Sequence, residues 1–188
     1  MTPLSFFRRF LADGSAIAAV EFALTAPVLV AVWLGMAELT QIMMASGKTK
    51  IAAQSVADLV GRYTAQGYVD PKGFSDLEGA AATIVAPLPT GTGNPLVSVV
   101  SATFNASGAP TLAWQCTTGT MPAGYSPTSL LAAAPALTTQ NSNLTSVIMV
   151  TVYFSYSPTI SGGITGPQSY TATAYSTPRT VSAIPKPC

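Results

Sequence analysis

The sequence predicts an α+β fold: a long N-terminal spine helix, transmembrane and then amphipathic, packed on a small antiparallel β-sheet. Three observations predict it. Ile17 to Ala37 is an apolar run of 21 residues. As a helix it measures about 31 Å, which matches a hydrocarbon core of about 30 Å. Beyond it, Ile42, Ala45, Thr49, Ala52, Val56, Leu59 and Tyr63 recur at spacings of three and four, one face of a continuing helix. After residue 95 the period shortens to strand-like alternation. The 188 residues, 48% of them apolar, suit one membrane segment and one modest domain with its own core.

The elements follow in order. Residues 1–16 form a basic leader in which Arg8 and Arg9 hold the N-terminus in the cytoplasm, with Lys48 and Lys50 on the far side of the apolar run. Residues 17–37 make the transmembrane helix and 38–66 its amphipathic continuation, with Lys48, Lys50, Asp58 and Arg62 mostly off the apolar stripe. Gly67 and Asp70-Pro71 supply a stop. A rod over 15–66 would be about 78 Å long. Residues 67–188 form the α+β domain. Its first element is a helix over Ser75–Ala86, with Asp76 and Glu78 in the first turn and Pro87 and Pro89 closing it.

Strands come next. Leu96, Val100, Ala102 and Phe104 lie on one side of an alternating run, and Asn105-Ala-Ser-Gly108 turns the chain into a partner strand over Thr111–Cys116. Val147–Tyr156 is the clearest strand, with Ile148, Val150, Val152, Phe154 and Tyr156 on one apolar face. Pro158 and Gly162-Gly163 end it, and Gln168–Ser176 pairs back. Between the two hairpins Thr117–Asn143 reads as irregular, with a short helix at Ser129–Ala134.

Charge is scarce and unevenly placed. Only 8% of residues are charged, and no Asp, Glu, Lys or Arg occurs in the 100 residues from Gly79 to Pro178. A net charge of +1 gives no reason to propose nucleic acid. With no His there is no His-dependent triad and no His-ligated metal, and all seven carboxylates precede Gly79. Gly91-Thr-Gly93 and Gly162-Gly163 lack the Lys and helix of a phosphate loop, and Trp33 and Trp114 read as packing or interface residues. The Asn105 and Asn143 sequons would matter only in a eukaryotic secretory pathway. No enzyme, cofactor or metal is expected. Cys116 and Cys188 suffice for one bridge, which an extracytoplasmic domain would form; otherwise one is buried and the other sits on a frayed terminus. Closing that loop would stabilise the fold by about 4 kcal/mol in the chain-entropy model.

One acid, Glu21, interrupts the apolar run. A carboxylate there costs about 2.5–3.5 kcal/mol on insertion scales. Three readings accommodate it: a signal anchor with Glu21 near the interface, a signal peptide cleaved after Gly35-Met36-Ala37, or a pilin-type signal cut ahead of a retained helix. The first two are at odds with an acid inside the apolar core, and the run is long for a signal peptide. The run Ile17-Ala-Ala-Val-Glu-Phe-Ala-Leu-Thr-Ala-Pro-Val-Leu-Val resembles the N-terminus of the TadE-like pilus-assembly proteins, pseudopilins of tight-adherence (type IVc) pilus machines. Val56-Ala-Asp-Leu-Val60, the strand before Trp114, Tyr153–Pro158 and the closing Tyr-Ser-Thr-Pro-Arg179 with Cys188 extend the likeness more weakly.

The resemblance implies a minor pilin-like subunit of a bacterial inner membrane, single-pass, with a cytoplasmic N-terminus and a periplasmic domain. A prepilin peptidase would process it, and its partners would be other pilin and pseudopilin subunits and the pilus assembly platform. Cutting between Ala16 and Ile17 leaves Glu21 at mature position five, whereas the Gly usual before the cut is found at Gly14, ahead of Ser15, and leaves it at seven. Glu21, Phe22 and Pro27 are the residues the family ties to assembly, the acid pairing with the N-terminal amine of a neighbouring subunit. The competing expectation is a signal-anchored or secreted periplasmic binding or adhesin domain unrelated to pili.

Overall fold

The computed structural model describes residue 8 and residues 14–62, 71–88, 95–132, 145–159, 166–179, 182–186 and 188. Tyr63, Gly67, Asp70, Pro89, Gly91–Gly93, Asn143, Gly162–Gly163 and the leader apart from Arg8 and Gly14–Ala16 lie outside them. The architecture is α+β, as the sequence predicts. A helix α1 (Gly14–Gly61) precedes α2 (Pro71–Val85), then β1 (Leu96–Phe104), β2 (Pro110–Thr117), a single turn α3 (Pro127–Leu131), β3 (Ser146–Tyr156) and β4 (Gln168–Ser176). Two compact units divide the chain, residues 1–40 and 41–188.

α1 is one uninterrupted helix of 48 residues, continuous through Ser46-Gly47, where a separate membrane helix and surface helix would have parted. Pro27 lies inside it and removes the N–H that would bond the carbonyl of Ala23. One turn earlier, the Thr25 hydroxyl donates to the carbonyls of Glu21 at 3.0 Å and Phe22 at 3.3 Å.

In the second unit the sheet runs β2-β1-β3-β4 and every neighbouring pair is antiparallel. Two hairpins supply the outer pairs, and their second and third strands in chain order are not neighbours. The chain from β2 must therefore pass over β1 to reach β3, carrying α3 on the way. The Asn105–Gly108 turn is built as its residues dictate: Gly108 takes φ 77°, and the Asn105 side-chain oxygen accepts from the N–H of Ser107 and Ala109.

The main core lies between the sheet and the helices. Ala45, Ala52, Ala53, Val56, Ala57 and Val60 of α1 pack with Leu77, Ala81 and Val85 of α2. Against them stand Val97 and Val99 of β1 and Ile148, Val150, Val152, Phe154 and Tyr156 of β3. The β3 face is the predicted one. A smaller core of Val100, Ala102, Val147 and Met149 lies on the opposite face of the sheet, closed by Phe104, Leu130 and Leu131. β1 and β3 are the central strands, and each carries buried apolar residues on both faces.

Three details differ from the sequence expectation. Leu59 is 43% exposed and Val60 is buried instead. A strict three-four alternation advances slower than 3.6 residues per turn, so the buried face drifts from Ala52 to Ala53 and on to Val60. α2 starts at Pro71, a turn before Ser75, because proline fits the first helical position, where no N–H is needed. α3 starts at Pro127 for the same reason.

Small residues let α1 lie close to the sheet. A Cβ on Gly61 would collide with the Ser176 hydroxyl and stand 3.2 Å from the Thr177 carbonyl. Lys48 donates to the carbonyls of Val85 and Ala86 at the C-terminal end of α2, where cations are favoured.

Candidate functional site

Every described side chain from Ile17 to Thr25 is exposed, and Phe22 and Leu24 are 69% and 70% exposed. The most apolar stretch of α1 has a mean hydropathy of 2.1, and none of it is buried. A helix apolar on all sides is stable only in lipid or among other apolar helices. Length and composition therefore suit single-pass membrane anchoring. Trp33, at 69% exposure, belongs to the same surface.

Glu21 is exposed on this helix, and among the described residues its carboxylate has no hydrogen-bond or ion-pair partner. Phe22 adjoins it. Pro27 lies six residues on, about 120° around the helix from Glu21, so these three residues do not share one face. What the arrangement offers chemically is one negative charge in an apolar sleeve, a partner for one cation. Of the processing residues Gly14, Ser15, Ala16 and Ile17, all are helical and Ile17 is exposed.

The remaining predicted residues meet in the second unit. Cys116 and Cys188 form a disulfide with Cα atoms 5.9 Å apart. Asp58 pairs with Arg62 at 2.6 Å and with Arg179, and the Arg179 N–H donates to the Gly61 carbonyl. Sequence reasoning missed how the segment after β4 is held between these anchors. Ser146 Oγ donates to the Ser182 carbonyl at 2.5 Å, and the Trp114 indole donates to the Ile184 carbonyl at 2.7 Å. Ile184 is buried in the main core. The segment is thus a strap from the β4 edge across to β2. Its one sequence signal was an apolar residue, Ile184, between the anchors Arg179 and Cys188.

Two open clefts flank the middle of β4. One, of about 310 Å³, is lined by Tyr125, Leu130, Thr151, Tyr153, Thr171 and Thr173 among others, on the face away from α1. The other, of about 330 Å³, is lined by Lys50, Gln54 and Thr171–Thr173. In the first, hydroxyls bond one another: Thr151 with Thr173 at 3.0 Å, and Tyr125 to Ser98 at 2.6 Å. Among the described residues no cluster of acids, Cys or His could hold a metal. Burial raises the Tyr170 phenol above its ordinary 10.0.

These features can be set beside known proteins. Residues 16–58 match the family described as TadE-like protein. The family is the one that the Ile17–Val30 run resembles, and the match ends within α1, leaving all four strands outside it. The match is to that N-terminal segment of the chain. No curated protein and no solved structure matches the chain.

Proposed function

We propose that this protein is a minor pilin-like (pseudopilin) subunit of a tight-adherence type IVc pilus system, acting by helix-to-helix assembly after processing by a prepilin peptidase. The observation that carries this reading is a single continuous helix, Gly14–Gly61, exposed and apolar at its start, whose Glu21 carboxylate has no partner among the described residues, over residues that match the TadE-like family. In this reading the chain sits in the bacterial inner membrane with its N-terminus cytoplasmic and its sheet domain periplasmic. Cleavage ahead of the apolar run frees an α-amine, and the amine of one subunit meets Glu21 of the next. Each charge is costly in lipid, and contact compensates both. The rest of the apolar surface packs against lipid before assembly and against neighbouring helices after it. Other pilin subunits and the assembly platform are the partners.

N-terminal sequencing of the mature protein tests the reading. A start at Ile17 or Ser15, lost when the peptidase is removed, is the expected result. A start at Met1, or after Ala37, would overturn it.

A further inference from the structure

The two edges of the sheet are treated differently. β2, at one edge, contains Pro110, its register with β1 shifts between Ser101 and Ala102, and Cys188 is bonded to its Cys116, with Cys188 Sγ 3.6 Å from the Gln115 carbonyl. Proline, a bulge and a covering segment are the devices by which proteins block strand addition. β4, at the other edge, has none of them among the described residues. Its nine residues contain no proline and no charge, its pairing with β3 is unbroken from Gln168 to Ser176, and among the described residues no strand pairs with its outer side.

Both clefts converge on Thr171–Thr173 in the middle of this edge, one from each face of the sheet. An added strand sends alternate side chains to opposite faces. One set would enter the hydroxyl-lined cleft of Tyr153, Thr151 and Thr173. The other would enter the cleft beside α1, whose one charged group, Lys50, makes no hydrogen bond or ion pair among the described residues.

We propose that β4 is a docking edge for an extended segment of a partner protein that carries an acidic side chain facing Lys50 and small hydroxylated side chains facing Tyr153. Backbone hydrogen bonds to β4 supply affinity and the two clefts supply register, the logic of β-strand addition. This inference uses only the second unit and holds whether or not the chain assembles through α1.

Full-length protein in detergent micelles, titrated with synthetic peptides and followed by amide NMR, tests it. The probe is a peptide of nine residues, the length of β4, alternating serine and threonine around a central glutamate. Controls carry lysine in place of glutamate, or N-methyl groups on alternate amides. The glutamate peptide is expected to shift the amides of Thr171–Thr173 and to bind about fivefold more tightly than the lysine peptide, an order that Lys50→Glu reverses. The N-methylated peptide is expected to lose binding. Equal binding of the two charged peptides, shifts away from β4, or no saturable binding would overturn the proposal. So would concentration-dependent protection of β4 amides without peptide, which would mean that a second copy occupies the edge.

Discussion

Single substitutions at three positions test separate expectations. Under the proposed assembly, Glu21→Ala removes a lipid-incompatible charge, so membrane insertion should persist or improve while pilus production falls; quantifying both in the same cells checks this. Normal piliation in that variant would remove the assembly role from Glu21. Gly61→Ala gains about 1 kcal/mol of helix propensity but forces a methyl into Ser176 and Thr177. Overpacking of that kind costs about 1–3 kcal/mol, so a net loss of stability is expected in denaturant unfolding. Asp58→Ala breaks two ion pairs at a site whose carboxylate is 37% exposed. Each exposed pair is worth under about 1 kcal/mol, so the loss should be small and should shrink with added salt. Tyr170 keeps its proton more tightly when folded, so its contribution is complete below pH 10 and is lost as pH rises through the raised value.

Elements differ in how far they could be read from residues alone. Glu21 stood out because a charge within an apolar run is rare, and the β3 face stood out because Ile148 to Tyr156 alternate without interruption. β1 was harder: Val97 and Val99 face the helices while Val100 and Ala102 face α3, so a strand buried on both sides leaves no polar face to fix its orientation. Of the strap after β4 only the Cys116–Cys188 bridge was legible, since the partners of its other anchors lie far away in sequence, Ile184 on Trp114 and Ser182 on Ser146. Its energetic weight can be measured. Replacing both cysteines with serine should cost about 4 kcal/mol if chain entropy dominates, and should also loosen the environment of Trp114 as seen by fluorescence. A loss below about 1 kcal/mol would mean that the strap is held by Ile184 and its hydrogen bonds instead.

At the scale of the molecule, the two units have opposite solvent requirements. Residues 41–188 contain both cores, the disulfide and the whole sheet. A version starting at Gln41 is therefore expected to be water-soluble, oxidised and cooperatively folded, as circular dichroism and thermal melting would show, whereas the full chain needs detergent. All four strands fall in the stretch without acidic or basic side chains. Hydroxyl pairs such as Thr151 with Thr173 do for this sheet what ion pairs do elsewhere, and hydroxyls neither titrate near neutrality nor feel the Debye length. A domain fastened in that way keeps its grip through swings of acidity and salinity that would slacken a charge-stitched one, an advantage for any protein whose compartment takes on the chemistry of the water outside the cell.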